Sequence, residues 1–311
     1  MTLVQVGRGR SGTRLHVERG GTGEPMLWIT GFAISSEIFT PVLPLYEQDY
    51  DCIRYDNRGA GRSDAPWRLT SIPELAGDAV RLLDRLGIDS AHVYGLSMGG
   101  MIAQEVAIRF PDRVRALILG GTSHGGPRAV LPSPRVLAAL TSRTAPAALR
   151  AELVGRALFT EPYRRDHPAE VRTALGLIGR HRVSGRGLVS HLTASAYHDT
   201  RARLARIVAP TLVISGDQDD LTPVANSRLL ARLIPDATLA ILPGAGHAYL
   251  LEQAAASHAA VRDWLAGRSP VRAGRPATGL AARSEPLTRH LGLQVGMLRT
   301  ARSLTSVRPR R

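Results

Sequence analysis

The hydrophobic positions of this chain form two patterns that alternate along its length: continuous apolar runs and helical spacing. Short continuous apolar runs predict strands buried on both faces, because such strands have no polar side. Together with two short strands at the start of the chain, they fall at 2–6, 14–18, 26–30, 52–55, 91–95, 114–120, 211–215 and 238–242. Helical spacing occurs between them at 72–86, 98–110, 224–233 and 250–265. This alternation predicts an α/β fold, with a mostly parallel twisted sheet flanked by helices.

The alternation stops after Gly121 and resumes near residue 206. Residues 122–205 hold helical patterns without a clear strand, at 135–140, 147–158, 168–178 and 188–197. A helical insert in the middle of an α/β series predicts a cap over the carboxyl edge of the sheet, where ligands of such sheets bind. We therefore expect residues 1–121 and 206–267 to form the core, and residues 122–205 to form a helical cap insert.

The charge of the chain is concentrated at its end. The formal net charge is +14, and residues 268–311 hold ten Arg and one Glu, which is +9 of that total. All 40 basic residues are Arg, which we interpret as a coding bias rather than selection for phosphate contacts. We expect a mostly disordered tail over 268–311 and no nucleic-acid partner, since a solvated Arg-rich tail is the commoner outcome.

The remaining composition excludes several classes of protein. A single cysteine, Cys52, cannot form an internal disulfide. No apolar stretch has the length of a signal peptide or a membrane span, so the expectation is a cytoplasmic protein. There is no cluster with metal-ligand spacing and no phosphate-binding G-x-x-x-x-G-K-[ST] loop, so we expect neither a metal nor a cofactor.

The candidate nucleophile is Ser97. Residues 95–99 read G-L-S-M-G, a G-x-S-x-G pattern between a predicted strand and a predicted helix. In that context the pattern forms a nucleophile elbow, a sharp turn that aims the serine away from its neighbours. The glycines allow the strand and helix backbones to approach closely, and the helix amides face developing negative charge.

A serine hydroxyl is a weak nucleophile and needs a base, for which His247 is the best candidate. It follows the last predicted strand in a P-G-A-G-H segment, so its loop can reach back over the site. The base needs a carboxylate that holds its tautomer and stabilises the imidazolium. The segment after the preceding strand offers three acids, Asp217, Asp219 and Asp220.

These motifs together resemble the α/β-hydrolase superfamily, over about residues 1–266. The resemblance is carried by the elbow around Ser97, the D-N-R-G-A-G-R-S-D segment at 56–64, the segment Gly216-x-x-Asp219-x-x-x-Pro223, and Gly246-His247 followed by Glu252. The second segment is similar to the family's D-x-R-G-x-G-x-S loop, and the third to its acid loop. The resemblance implies a triad of Ser97, Asp219 and His247.

The resemblance also implies an oxyanion hole made of two backbone amides, those of Met98 and Phe32. The family usually has His-Gly in the loop after the third strand, whereas this chain has Thr30 before Gly31. Because the donor is a backbone N–H, we expect the oxyanion hole to form with Thr30 in place of the usual histidine. How the loop packs around Thr30 stays open at this point. Trp67, which follows the 56–64 segment, is a candidate substrate contact.

The mechanism implied is acyl transfer to water through an acyl-enzyme on Ser97. The residues around the elbow look most like those of small esterases, enol-lactonases and polyketide methyl esterases, so a small-molecule ester or lactone is the expected substrate. Two alternatives stay open: hydrolysis of a C–C bond in a diketone by the same triad, and a small-molecule receptor built on a hydrolase fold. The oligomeric state is not predicted.

Overall fold

The computed structural model describes residues 2–7, 12–65, 68–133, 136, 146–181 and 183–267. The candidate substrate contact Trp67 and the Arg-rich segment 268–311 lie outside the described residues. So does most of the helix predicted at 135–140.

Eight strands form one sheet in the spatial order β1-β2-β4-β3-β5-β6-β7-β8. They are β1 (Thr2–Val6), β2 (Thr13–Gly20), β3 (Glu24–Ile29), β4 (Tyr50–Tyr55), β5 (Ala91–Leu96), β6 (Val114–Gly120), β7 (Thr211–Gly216) and β8 (Ala237–Leu242). The pairs β1–β2 and β2–β4 are antiparallel, and the pairs from β4 through β3 to β8 are parallel. The predicted α/β fold with a mostly parallel sheet is confirmed.

The α-helices lie where the helical spacing indicated, with additional short ones. They are Leu43–Tyr46, Ile72–Arg85, Met98–Arg109, Ala147–Leu158, Glu161–Asp166, Pro168–Arg180, Gly185–Ala196, Val224–Leu233, Tyr249–Glu252 and Ala254–Leu265. The single helix predicted over 250–265 is two helices, because the backbone of Gln253 leaves helical geometry at φ −133° and ψ 53°.

The core lies on both faces of the sheet, because successive residues of a buried strand point to opposite sides. All six residues of β5 are buried. Val93 joins an apolar cluster with Leu27 of β3 and with the helices Ile72–Arg85 and Met98–Arg109. Tyr94 joins a second cluster, which includes Trp28 and the helix Tyr249–Glu252. Helices therefore cover both faces of the sheet.

Residues of the 146–200 segment contact loops at the carboxyl ends of four parallel strands. His191 bonds to the loops after β3 and β4, and Asp199 forms an isolated bridge with Gly125 after β6. The carbonyl oxygen of Leu158 accepts from Ala248 after β8 at 2.8 Å. These contacts are those expected of a cap, and the division of the chain at residues 121 and 206 stays a prediction.

None of the helices in the described ranges is long and apolar enough to cross a membrane.

Candidate active site

Ser97 stands at the sharp turn between β5 and the helix Met98–Arg109. Its backbone has φ 57° and ψ −122°, a conformation that a non-glycine residue adopts only when its surroundings enforce it. The surroundings here are tightly packed backbones. A Cβ atom on Gly99 would overlap the carbonyl oxygen of Ile29, and one on Gly95 would overlap the carbonyl oxygen of Gly99. The glycines of the motif are therefore required by close backbone approach.

The turn is also held from the neighbouring strand β6. The amide of Ser97 donates to the carbonyl oxygen of Gly120 at 2.8 Å. The hydroxyl of Thr122 donates to the carbonyl oxygen of Ser97 at 2.7 Å. The residues on either side of Ser97 are buried, whereas Ser97 itself is half-buried. The arrangement fixes the serine backbone and leaves its side chain accessible.

Asp219 and His247 form a buried pair in the loops after β7 and β8. The Nδ1 atom of His247 lies 2.8 Å from the Oδ2 atom of Asp219. The other carboxylate oxygen, Oδ1, accepts from the amides of Leu221 at 2.9 Å and Thr222 at 2.6 Å. Because a carboxylate can only accept, the proton of the imidazole lies on Nδ1 and Nε2 is left as an acceptor.

The backbone of β6 brings this pair and the serine together. Gly120 accepts from the amide of Ser97, and the next residue, Gly121, lies against the pair. A Cβ atom on Gly121 would be 3.3 Å from Oδ2 of Asp219 and 3.4 Å from Nδ1 of His247. Ser97, Asp219 and His247 therefore stand after β5, β7 and β8, and the backbone at residues 120–121, at the end of β6, lies next to both the serine and the pair. Asp217 and Asp220 are exposed, and Asp217 accepts from the amide of Gly244 at 2.7 Å.

The two predicted oxyanion amides belong to Phe32 and Met98, the residues that follow Gly31 and Ser97. A Cβ atom on Gly31 would be 3.6 Å from Oγ of Ser97, which places the loop after β3 beside the hydroxyl. Met98 is the first residue of the helix, so its amide has no partner within the helix. Within the described part of the chain, neither the Met98 amide nor the Phe32 amide donates a hydrogen bond. Both amides are therefore available as hydrogen-bond donors.

Polar contacts hold Thr30 in the loop after β3. Thr30 is fully buried, and its hydroxyl lies 3.3 Å from the carbonyl oxygen of Ile34. The side-chain amide of Asn57 donates to both the carbonyl oxygen and the hydroxyl of Thr30, at 3.1 and 3.2 Å. Thr30 therefore fits the loop without the usual histidine, and Asn57 is a supporting residue that the sequence motif did not single out.

The 56–64 loop is organised by its own charged residues. Asp56 accepts from the amide of Ser36 at 2.6 Å and from the amide of Arg62 at 2.8 Å. The guanidinium of Arg58 makes a two-pronged contact with Asp78, at 2.8 and 2.9 Å, and both side chains are buried. These contacts fix the loop beside the loop after β3.

Glu252 joins the histidine loop to the capping helices. Its Oε2 atom accepts from the amide of Gly246, next to His247, at 2.5 Å. Its Oε1 atom accepts from the amide of Thr160 at 2.6 Å. The sequence showed Glu252 only as part of a motif, because its partner Thr160 lies 92 residues away along the chain.

No three His, Cys, Asp or Glu side chains in the described ranges are grouped so that they would hold a metal ion.

The family follows from a comparison with known sequences. Residues 24–254 match the model of a family described as the alpha/beta hydrolase fold. The chain belongs to this family. The match contains the elbow, the acid loop and the histidine loop, so the site lies inside the part of this α/β-hydrolase that defines the family.

Relatives and solved structures agree with this assignment. The chain is similar to a poly(3-hydroxyalkanoate) depolymerase from Ectopseudomonas oleovorans, with 32% identity over 75% of this chain and 81% of that protein. It is 34% identical to 3-oxoadipate enol-lactonase 2 from Acinetobacter baylyi, over 70% of this chain and 79% of the lactonase. A thermophilic esterase from Thermogutta terrifontis has a TM-score of 0.74 and 27% identity, covering 87% of this chain and all of the esterase.

Proposed function

We propose that this α/β-hydrolase cleaves a small-molecule carboxylic ester or lactone through an acyl-enzyme on Ser97, with His247 as base and Asp219 as its orienting carboxylate. The observation that carries the proposal is the buried 2.8 Å contact between His247 Nδ1 and Asp219 Oδ2 beside a serine held at an elbow. That contact leaves Nε2 of the histidine as the proton acceptor that a serine nucleophile requires.

In the first step Oγ of Ser97 attacks the carbonyl carbon, and Nε2 of His247 takes the hydroxyl proton. The carbonyl oxygen becomes an oxyanion, which accepts hydrogen bonds from the amides of Phe32 and Met98. The imidazolium is stabilised by Asp219. The tetrahedral intermediate then collapses, and the alkoxide leaves with the proton from Nε2 of His247.

In the second step water cleaves the acyl-enzyme. His247 takes a proton from the water, whose oxygen attacks the acyl carbon, and the same two amides receive the oxyanion. On collapse the proton returns to Oγ of Ser97 and the carboxylic acid is released. A lactone follows the same route, except that its leaving alcohol stays attached to the acyl group.

The substrate class is supported by the relatives and by the chemistry of the site. The names of the relatives include a depolymerase of a polyester and an enol-lactonase, and that of the similar structure an esterase. All three names describe carbonyl substrates with an oxygen leaving group. Such a leaving group needs one proton, which the His247 imidazolium supplies.

The experiment that tests the proposal is hydrolysis of a panel of p-nitrophenyl esters and simple lactones by the wild type and by Ser97→Ala. The matched control is Ser227→Ala, since Ser227 is equally a serine but is buried in the helix Val224–Leu233, where its hydroxyl has no hydrogen-bond partner. We expect turnover by the wild type and the control, and a loss of about 10³-fold or more in Ser97→Ala.

Each outcome of the panel decides between functions. Turnover that Ser97→Ala retains would overturn the nucleophile. A wild type inert on esters and lactones but active on a diketone would favour C–C hydrolysis by the same triad. A wild type that turns over neither class, yet binds small carbonyl compounds in a thermal-shift measurement, would favour the receptor.

A further inference from the structure

His191 is a buried bridge between two loops at the carboxyl edge of the sheet. It lies on the helix Gly185–Ala196 and is fully buried. Its Nδ1 atom is 3.1 Å from the amide nitrogen of Ala33, and its Nε2 atom is 2.8 Å from the carbonyl oxygen of Arg58. An amide can only donate and a carbonyl can only accept, so Nδ1 is unprotonated and Nε2 carries the proton. The bridge therefore requires a neutral imidazole.

One of the two bonded groups adjoins an oxyanion donor. Ala33 follows Phe32 directly, and its backbone has φ 56°, in the left-handed region that favours glycine. Such a conformation is unfavourable for alanine and persists only where surrounding contacts enforce it. The hydrogen bond from the Ala33 amide to Nδ1 of His191 is such a contact. The ring of Phe32 also meets the imidazole edge-on, with the centroids 6.2 Å apart.

The helix that carries His191 is seated closely on the second loop. A Cβ atom on Gly187 would overlap the carbonyl oxygen of Gly59, so the two backbones touch at a position that only glycine allows. One residue before His191, the hydroxyl of Ser190 accepts from the amide of Thr70 at 2.8 Å. These contacts fix where the imidazole stands relative to the segment after β4.

We propose that His191 is a positioning residue of the oxyanion hole, which aims the Phe32 amide by holding the Ala33 amide and the Arg58 carbonyl. The inference rests on the serine mechanism proposed above. His191 touches no reacting atom, and its effect passes through the Ala33–Phe32 peptide. Burial lowers the pKa of His191 to about 4, which agrees with the neutral ring that the bridge needs.

The kinetic consequence is a loss in kcat with KM little changed. The oxyanion exists only in the transition state, so a misdirected donor raises the barrier without weakening ground-state binding. Removal of one oxyanion donor typically costs about 10²–10³ in kcat, and a displaced donor should cost part of that.

The experiment compares His191→Gln with His191→Asn in the full-length protein. A glutamine carries an oxygen acceptor and an N–H donor and is long enough to reach both loops, whereas an asparagine carries the same groups on a shorter stem. We expect His191→Gln to keep kcat within about threefold of wild type and His191→Asn to lose about tenfold to a hundredfold, with KM changed less than about twofold. Inhibition by phenylboronic acid, which mimics the tetrahedral intermediate on Ser97, should weaken by the same factor as kcat/KM.

The matched control applies both changes to His198. This histidine is also buried and lies just after the helix Gly185–Ala196, but neither of its ring nitrogens has a hydrogen-bond partner. We expect both His198 variants to keep the wild-type kcat. All rates are divided by the fraction of enzyme that a fluorophosphonate labels, so that a loss of folded protein is not counted as a loss of catalysis.

The outcomes separate this inference from the proposed function. Equal kcat for the two His191 variants, or a change confined to KM, would overturn the positioning role while leaving the serine mechanism intact. A wild type that neither turns over esters nor reacts with fluorophosphonate would overturn the mechanism and the positioning role with it. Nitrogen-15 NMR of the wild type needs no variant: a proton on Nδ1 of His191 at pH 7 would contradict the bridge.

Discussion

Two residues, Ala33 and Ser97, are the non-glycine positions with positive φ in the described ranges, and both lie at the candidate site. Each is held by bonds from other elements, Ser97 by Gly120 and Ala33 by His191. An unfavourable backbone conformation of this kind costs on the order of 1–3 kcal/mol. The chain therefore tolerates a local cost at the candidate nucleophile and next to the proposed oxyanion donor Phe32.

The close packing at the elbow predicts that an alanine at Gly99 lowers stability, whereas one at the uncrowded Gly176 does not. Gly99→Ala places a Cβ atom against the carbonyl oxygen of Ile29, so we expect a loss of about 2 kcal/mol or more in the free energy of unfolding and slower labelling of Ser97 by fluorophosphonate. At the exposed position 176 of the helix Pro168–Arg180, a Cβ atom meets no atom within 4 Å, so Gly176→Ala should gain about 0.5–1 kcal/mol in the free energy of unfolding. Urea unfolding measures both. An unchanged stability for Gly99→Ala would contradict the close approach.

The acid loop predicts that one of its carboxylates matters for catalysis. Asp219→Asn should lower kcat by about 10³–10⁴, because an amide in its place allows the wrong tautomer of His247. Asp220→Asn changes an exposed neighbour in the same loop and should leave kcat unchanged. Steady-state kinetics on the best ester of the panel compares the two. Comparable losses at both positions would argue that the loop, rather than the Asp219–His247 contact, is what the substitutions disturb.

At the scale of elements, the site depends on loops that hold one another. The loop after β3 is bonded by Asn57 from the 56–64 loop and by His191 from the helix Gly185–Ala196. The loop after β8 is bonded to the segment after the helix Ala147–Leu158 through Glu252. The loops after β3 and β8 therefore each have a partner outside the sheet, and we expect their geometry to depend on the capping helices being in place.

Glu252 allows this dependence to be measured. Glu252→Gln leaves one acceptor oxygen for two amides, those of Gly246 and Thr160, and an unpaired amide costs about 1–3 kcal/mol. We expect a loss of that size in the free energy of unfolding, together with a lower kcat, because Gly246 adjoins His247. Glu170→Gln, on the exposed face of a capping helix, should change neither quantity. A Glu252→Gln enzyme with wild-type stability and kcat would show that the two bonds of Glu252 do not support the histidine loop.

At the scale of the whole molecule, three buried histidines make the stability of the protein depend on pH. Burial lowers the pKa of His191 to about 4 and that of His198 to about 3, and it lowers the pKa of His124 as well. An unfolded histidine titrates near 6.5. Between these values the unfolded chain binds more protons than the folded protein, so these histidines destabilise the fold as the pH falls.

This predicts an acid-sensitive stability. The full contribution of these side chains is present above pH 6.5 and is lost as the pH falls from 6.5 towards 4, at up to about 1.4 kcal/mol per pH unit for each histidine. Urea unfolding of the wild type at pH 7.5, 6 and 5 measures the slope. His198→Gln should lower the slope of the unfolding free energy against pH by up to about 1.4 kcal/mol per pH unit, the contribution of one histidine. Identical slopes for variant and wild type would show that His198 is not buried as a neutral ring.

The sequence by itself determined the features that depend on near neighbours. Apolar periodicity places the eight strands and most of the helices, since burial on one or two faces fixes the spacing of apolar residues. The elbow was readable because its glycines lie within two residues of Ser97. The histidine loop was readable because it follows the last strand directly. The resemblance to α/β-hydrolases then selected Asp219 among the three acids of its loop.

Only the tertiary structure decided which distant groups complete the site. The bonds of His191 span 158 residues to Ala33 and 133 residues to Arg58, and the bond of Glu252 to Thr160 spans 92. In the sequence His191 is one of several histidines in a helical insert, with nothing nearby to distinguish it. Its role depends on how the helix packs across the loops, and no local preference encodes that packing, because it arises from contacts between segments that meet only when the chain has folded.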